Sequence, residues 1–214
     1  MSMLKINTGS FVKGVLVGVV IVVTLLVLLF FAMPHIYLAT ENHNFAKLRE
    51  KSELNCETMP LHCLVREQDI NKISQYATEG KDLELKDNWG KTALFWAASK
   101  DKPLLVSKLL SLKANPNTND ENGRSVFYQS VAWGKYDIAT SLLENGADIN
   151  AFNDSQYPET ALHYCVMKDN PECVRYLLDK GASTQPKDSF GYTVFERVKI
   201  HNHISKEVGM LLQK

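Results

Sequence analysis

A four-residue pattern returns along the chain at a spacing of 33 residues, and it constrains the fold more strongly than any other feature. It occupies residues 92–95, 125–128, 160–163 and 193–196, and a two-residue insertion separates the second copy from the third. A period in this range indicates a solenoid, in which each unit buries its apolar face only against its neighbours. Solenoids expose long surfaces that bind other macromolecules, so the period favours a binding protein.

Each unit contains the signals for a tight turn and two helices. Gly90 stands at the fourth place of a turn, where a positive φ favours glycine, and Thr92 follows as the cap of a short first helix. Gly146 and Gly181 suit the left-handed position just after a second helix. The second helices carry apolar residues at the i, i+3, i+4 spacing of a buried face, namely Leu105, Val106, Leu109, Leu110, Ile138, Leu142, Leu143, Val174, Leu177 and Leu178.

At these places the chain resembles the ankyrin repeat family. Residues 160–163 read T-A-L-H against the family's T-P-L-H, and residues 146–150 read G-A-D-I-N against its G-A-D-x-N. The resemblance covers residues 56–214 and implies an all-α ankyrin repeat solenoid of about five helix-turn-helix units with hairpin loops. The units are expected at about 56–86, 87–119, 120–152, 153–187 and 188–214. The first and last depart from the pattern, as terminal repeats do because one of their faces meets water.

A long apolar segment precedes the repeats. Residues 14–33 are all apolar, glycine or threonine, and about 20 such residues give a helix the roughly 30 Å needed to cross a bilayer. The sequence therefore predicts an N-terminal segment at 1–13, an uncleaved transmembrane signal anchor at 14–33 and a polar stalk at 34–55. A cleaved signal peptide is the alternative, but its apolar core is usually shorter.

The charges beside this segment predict its orientation. Lys5 and Lys13 precede it without any acidic residue, whereas Lys47 and Glu41 offset each other beyond it. Basic flanks stay on the cytoplasmic side, so the N-terminus is expected in the cytoplasm and the repeats across the membrane. In a bacterium this arrangement is a single-pass inner-membrane protein with periplasmic repeats.

Four cysteines bear on that compartment, because an exported domain can form disulfides. Cys56 and Cys63 are a possible disulfide that would fasten the stalk to the first unit. Cys165 and Cys173 stand where the family usually has small apolar residues, so two separate buried thiols are favoured there. No C-x-x-C pair occurs, which gives zinc or thiol-redox chemistry no support.

The remaining chemistry-bearing residues indicate no catalysis. His62 and His163 occupy the T-P-L-H position, where the family's histidine bonds a neighbouring turn, and His201 and His203 are expected to face solvent. The motifs G-x-S-x-G, G-x-x-x-x-G-K and H-E-x-x-H are absent. The chain is therefore expected not to be an enzyme and to need no cofactor, metal or small-molecule substrate. Its net charge of zero, without a basic stripe, disfavours nucleic acid as a partner.

A protein partner remains, and the repeat register predicts where it binds. Ankyrin-like units bind through the hairpin tips and the exposed side of the first helix. Large aromatic and arginine side chains are the usual anchors of such interfaces, although some of these aromatics could instead pack across adjacent hairpins. The predicted partner-binding residues are Trp89, Lys91, Arg124, Trp133, Tyr157, Met167, Phe190 and Tyr192.

The combination of one anchor and about five repeats resembles bacterial immunity proteins that accompany type VI secreted phospholipases. It implies an antitoxin that binds and neutralises a toxic effector in the periplasm. Two alternatives stay open: an envelope scaffold supporting an enzyme such as a catalase, and a structural subunit of a membrane complex. Gly14 and Gly18 would give the anchor of such a subunit a small-x-x-x-small face.

Overall fold

The computed structural model describes residues 56–153 and 156–213, and within them the chain forms a helical solenoid. The predicted anchor at 14–33 lies outside these residues. Among the helices that are described, none has the length and apolar character to cross a membrane. The described helices are α1 (Pro60–Glu67), α2 (Ile70–Thr78), α3 (Ala93–Ser99), α4 (Pro103–Ser111), α5 (Val126–Ala132), α6 (Tyr136–Glu144), α7 (Ala161–Met167), α8 (Pro171–Asp179), α9 (Val194–Ile200) and α10 (Lys206–Leu211).

Consecutive helices pair into five units, which we number 1 to 5 from α1–α2 to α9–α10. The first helices of successive units pack in one layer, and the second helices stack beside them in the other. Side chains reinforce the second layer: the rings of Tyr136 on α6 and Tyr176 on α8 are stacked with centroids 4.6 Å apart. The all-helical solenoid expected from the period is confirmed.

The first helices begin as the sequence predicts. In units 2 to 5 the capping residues are Thr92, Ser125, Thr160 and Thr193, and each side chain accepts a hydrogen bond from the backbone N–H three residues later. This bond satisfies one of the N–H groups that a helix start leaves without an intrahelical partner. Unit 1 differs because Met59 holds the capping place and provides no such bond.

The left-handed helix ends predicted at Gly146 and Gly181 are confirmed, and the second helices of units 1 and 2 end in the same way. Gly80, Gly146 and Gly181 adopt positive φ directly after the helix cap. Lys113 takes the same left-handed conformation with φ of 71°. A non-glycine residue pays about 1 kcal/mol for that conformation, so the chain keeps its path in unit 2 at a small cost in stability.

The core consists of the predicted apolar stripes, with two exceptions at its margin. Leu109, Leu142 and Leu177 are completely buried, while Leu143 and Leu178 are only half-buried. Apart from Cys63, the buried apolar side chains of the five units belong to one continuous cluster. The neighbour-to-neighbour burial expected of a solenoid therefore runs through the described domain.

Both cysteine pairs are joined by disulfides in the structure. Cys56 is linked to Cys63, and Cys165 on α7 is linked to Cys173 on α8. The second bond corrects the interpretation of Cys165 and Cys173 as separate thiols. Pairing of α7 with α8 brings the two Cα atoms to 5.6 Å, a separation typical of disulfides, and both side chains are buried as expected.

Candidate functional site

Three of the hairpin loops between units, those that lead into units 2, 3 and 5, are each built around one carboxylate. Asp87 accepts hydrogen bonds from the backbone N–H groups two and four residues later, and Asp120 and Asp188 do the same, at distances of 2.8–3.1 Å. An aspartate that bonds its own loop in this way fixes the turn. The residues at the second and fourth positions, which include several predicted partner-binding residues, are therefore held in place before any partner arrives.

Neighbouring hairpins also bond to one another through the backbone. The carbonyl of Trp89 accepts from the Glu121 N–H at 2.8 Å, and the carbonyl of Pro158 accepts from the Ser189 N–H at 2.9 Å. At Gly90, φ is 70° and a Cβ atom would lie 2.6 Å from the Glu121 nitrogen, so only glycine fits this approach. The hairpins thus support one another as a row.

Two hairpins are tied to the first helix that follows them. The second oxygen of Asp87 accepts from the Trp96 indole N–H at 2.6 Å, and that of Asp188 accepts from the Arg197 Nε at 2.5 Å. Trp96 and Arg197 occupy the same position in their units, four residues after the capping residue. Arg197 was not predicted as a site residue from the sequence. Its position nine residues after an aspartate, the same spacing as between Asp87 and Trp96, was a signal that could have identified it.

Three predicted partner-binding residues form an aromatic cluster in units 4 and 5, which we define as Tyr157, Phe190 and Tyr192. The rings of Tyr157 and Phe190 are stacked, with centroids 5.6 Å apart and an interplanar angle of 11°. The Arg197 guanidinium lies 5.0 Å from the Phe190 centroid and 5.1 Å from that of Tyr192. The cluster is packed across adjacent hairpins, yet 57% of Tyr157 and 60% of Phe190 stay exposed. It remains an apolar surface in contact with water.

A cavity of about 290 Å³ lies beside the aromatic cluster. Its lining includes Tyr157 and Phe190, together with Tyr128, Glu159, Asp188 and Arg197. The Tyr128 hydroxyl donates to the Glu159 carboxylate at 2.6 Å. Burial raises the pKa of Glu159, although the hydrogen bond from Tyr128 works against it, and burial together with that bond raises the pKa of Tyr128. Glu159 was not among the residues selected from the sequence.

The other predicted residues do not join the cluster. Arg124 lines the cavity, where its guanidinium donates to Asp120. Trp89 and Lys91 belong to the hairpin of unit 2, and the Lys91 ammonium lies 5.4 Å from the ring centroid of Phe95.

Trp133 and Met167 lie at the ends of first helices. Trp133 caps the end of α5, is 41% exposed and packs edge-on against Phe95, with ring centroids 6.2 Å apart. Met167 ends α7, and its carbonyl accepts from His203 at 3.2 Å. The structure thus separates the eight residues into one cluster and several isolated side chains, and their binding of a partner stays a prediction.

The histidines of units 1 and 4 have the structural role expected for the T-P-L-H position. The Nε2 atom of His62 donates to the Lys91 carbonyl at 2.8 Å, and that of His163 to the Tyr192 carbonyl at 3.1 Å. Burial lowers the pKa of both imidazoles, so they are neutral at pH 7. Each histidine fastens a first helix to the hairpin of the next unit.

The remaining titratable groups form no metal centre in the described part of the chain. His201 and His203 have ring centroids 5.4 Å apart. Within residues 56–153 and 156–213, however, no group of three or more histidine, cysteine or acidic side chains could hold a metal ion. The described residues offer exposed contact surfaces and a cavity lined by both aromatic and charged side chains.

Comparisons with known proteins agree with this geometry. A family model described as three copies of ankyrin repeats matches residues 61–153, and one described as many copies matches residues 131–178. The chain is 29% identical to the mouse NF-kappa-B inhibitor delta over 48% of its length and 38% of that protein. It is 28% identical to a probable 26S proteasome regulatory subunit p28 of Saccharomyces cerevisiae, over 64% of this chain and 62% of the relative.

An enzyme is among the relatives as well. The chain is 29% identical to an L-asparaginase of Dirofilaria immitis over 65% of its length, which corresponds to 23% of that protein. It spans less than two thirds of each of these relatives. Because the relatives carry the names of regulators and of an enzyme, what they share with this chain is the repeat. Taken with the five stacked units, the two matches show that residues 61–178 are ankyrin repeats and that the chain contains a protein-protein interaction module.

Proposed function

We propose that this chain is a membrane-anchored ankyrin module that binds and neutralises a toxic effector, such as a secreted phospholipase, on the periplasmic side of a bacterial inner membrane. The aromatic cluster is the centre of the contact surface. The stacked and exposed pair of Tyr157 and Phe190 is the observation that carries the proposal, because rigid exposed aromatics are typical interface anchors. The apolar segment at 14–33 and the resemblance to immunity proteins support the membrane location and the effector.

The mechanism would be steric. The hairpin row is braced by the Asp188–Arg197 pair and by backbone bonds between loops, so the cluster is already ordered and little entropy is lost on binding. Covering the mouth of an effector's active site would exclude its substrate. Anchoring at the bilayer would raise the effective concentration of the inhibitor where a lipid-degrading toxin acts.

The test is affinity capture of the full chain from detergent extract, followed by identification of the captured protein. The candidate effector is then sent to the periplasm of cells with and without this chain. The proposal expects that the captured protein is toxic alone and that the chain restores growth. Capture of a non-toxic envelope enzyme such as a catalase would instead favour the scaffold.

Substitutions at the cluster test the surface. Truncating one interface anchor costs about 2 kcal/mol, or about 30-fold in affinity, so the Tyr157→Ala/Phe190→Ala double variant should lose both capture and protection. Met210→Ala is the matched control, because Met210 is also 60% exposed but belongs to α10. Full capture by the double variant would show that the aromatic cluster is not part of the interface.

A further inference from the structure

The charges around the cavity do not balance, and the imbalance comes from one residue. Arg124 donates to the Asp120 carboxylate at 3.2 and 2.9 Å, and Arg197 forms its ion pair with Asp188. Each arginine is therefore neutralised by its own aspartate. Glu159 forms no ion pair with any lysine or arginine in the described part of the chain. Together with Glu159, these two arginine–aspartate pairs sum to a net charge of −1.

The Glu159 carboxylate is held in place. The backbone N–H of Glu159 donates to the Asn153 side chain at 3.1 Å, its carbonyl accepts from the Asn153 N–H at 3.1 Å, and Tyr128 donates to its carboxylate. Glu159 is half-buried, and burial raises its pKa. The charges of Arg197 and Lys168 oppose that rise without forming an ion pair with Glu159 in the described residues. A positioned acid in a cavity that makes no direct ion pair in the described part of the chain is typical of a functional site.

Aromatic rings surround this acid. Tyr157, Phe190 and Tyr128 line the cavity together with Glu159, and the Tyr128 ring lies 5.5 Å from that of Tyr164. Cations bind favourably to the faces of such rings, and Arg197 does so here against Phe190 and Tyr192. With about 290 Å³, the cavity has room for about nine water molecules and so for one long side chain.

We infer that this cavity is the specificity site of the surface and binds one basic side chain of the partner, an arginine or a lysine. Its cation meets the Glu159 carboxylate, and its aliphatic stem packs on Tyr157 and Phe190. The charge complementarity of a carboxylate that makes no direct ion pair, beside aromatic rings in one cavity, carries the assignment. The inference deepens the proposed function, since it names the chemistry of the contact, and it rests on that function only in placing the partner on the same surface.

The direct test is a titration of the isotopically labelled full chain in detergent micelles, followed by NMR. The probes are the capped peptides Gly-Arg-Gly and Gly-citrulline-Gly, because citrulline keeps the shape of arginine without its charge. The arginine peptide should give saturable shifts of the backbone amides of Glu159 and Phe190, and the citrulline peptide should bind at least about tenfold more weakly. Equal binding of both peptides, or no saturable shift with arginine, would overturn the inference.

Variants assign the effect to the carboxylate. Glu159→Gln keeps an oxygen that accepts from Tyr128 but removes the charge, so the arginine peptide should bind it no better than the citrulline peptide binds the wild type. Glu144→Gln, an exposed glutamate on α6, should bind like the wild type. Undiminished arginine binding by Glu159→Gln would contradict the assignment.

The titration needs no effector, so the two proposals fail separately. Arginine binding at Glu159 without a toxic partner in the capture experiment would overturn the effector role and leave the cavity assignment standing. A toxic partner that Glu159→Gln captures and neutralises as well as the wild type does would overturn the cavity assignment alone.

Discussion

Units 1 and 4 contain the same two features, a buried histidine and a disulfide. They differ in whether the helix cap and the hydrogen bonds of that histidine are all present. In both, the histidine Nε2 donates to the backbone of the next hairpin. In unit 4 the Thr160 hydroxyl lies 2.8 Å from the Nδ1 of His163. In unit 1 Met59 stands in place of the threonine, and the buried Nδ1 of His62 has no hydrogen-bond partner. Because unit 1 has Met59 where unit 4 has Thr160, it lacks both a helix cap and a hydrogen-bond partner for its buried imidazole.

The two units also differ in their neighbours. Unit 4 packs between units 3 and 5, whereas unit 1 packs against unit 2 alone in the described residues. On α2 only Ile73 and Tyr76 are buried and Ile70 is 41% exposed, whereas α8 buries Cys173, Val174 and Leu177. A repeat keeps its shape through its motif, but its stability depends on its neighbours and on completed polar contacts.

The largest expected effect comes from deleting core volume in each unit. Leu177→Ala should lower the free energy of unfolding by about 2–5 kcal/mol, because the side chain is fully buried between units. Ile73→Ala removes an equally buried side chain from unit 1. Its cost should remain local, since a terminal repeat can open without the others.

Equilibrium urea unfolding and amide hydrogen exchange separate the two outcomes. Leu177→Ala should shift the whole transition, while Ile73→Ala should speed exchange in α1 and α2 with little change in the main transition. Equal shifts of the main transition would show that all five units unfold together and would remove the distinction between units 1 and 4.

The sequence predicted the part of this fold that each unit specifies by itself. The capping residues, the left-handed helix ends and the buried stripes of α4, α6 and α8 depend on neighbours within one repeat, and the structure confirms them. Even Lys113 follows the repeat, because packing of the helices on both sides fixes the path of the chain. Local chemistry at a fixed period is thus enough to predict the solenoid.

The particular side-chain pairings, between units and between the two helices of unit 4, were beyond that reasoning. The stacking of Tyr157 on Phe190 joins two hairpins, and the hydrogen bond from Tyr128 to Glu159 joins a first helix to the next hairpin. The Cys165–Cys173 bond depends on the distance between two helices. None of these is fixed by spacing along the chain, because the first two depend on rotamers and on the small rotation between repeats, and the disulfide depends on how α7 packs on α8 within unit 4.

The second effect, in order of size, concerns the disulfides. Their cysteines are separated by 7 and 8 residues, and closing a loop of this length is worth about 2.5 kcal/mol by chain entropy. Cys165→Ala/Cys173→Ala should therefore lower the main thermal transition. Cys56→Ala/Cys63→Ala should loosen only unit 1.

Thermal unfolding with and without a reductant measures the contribution of each disulfide to stability. The reductant should lower the transition of the wild-type chain and leave that of Cys165→Ala/Cys173→Ala unchanged. If removing the unit 1 bond lowered the main transition as much, unit 1 would be as firmly coupled to the domain as unit 4.

A smaller effect should follow from exchanging the capping residues. Met59→Thr would give α1 its cap and His62 Nδ1 its partner, and we expect unit 1 to gain about 1–2 kcal/mol. Thr160→Val creates the deficiency of unit 1 within unit 4 and should cost a similar amount. Hydrogen exchange at the amides of His62 and His163 reports each change locally. Slower exchange at His62 in Met59→Thr is the expected result, and unchanged protection there would mean that the missing cap does not weaken unit 1.

The smallest effect concerns the residue before the cap, which is Thr58 in unit 1 and Glu159 in unit 4. Burial raises the pKa of Glu159 in the folded state above its unfolded pKa of about 4.3. The contribution of Glu159 to the free energy of unfolding is therefore fully present below the unfolded pKa and is lost as the pH rises through the folded pKa. Glu159→Gln stays neutral, so it should be more stable than the wild type at pH 7, and the difference should vanish near pH 4.

Glu196 provides a control of opposite sign for that measurement. Hydrogen bonds from the Thr193 backbone and hydroxyl lower the pKa of Glu196, so its contribution is present above the unfolded pKa and is lost as the pH falls through the folded value. Glu196→Gln should accordingly be less stable than the wild type at pH 7 and equal to it in acid. Urea unfolding of both variants at pH 7 and pH 4 decides the point. A loss of stability at pH 7 in Glu159→Gln would mean that its carboxylate stabilises unit 4, and a structural role would then be enough to explain the residue.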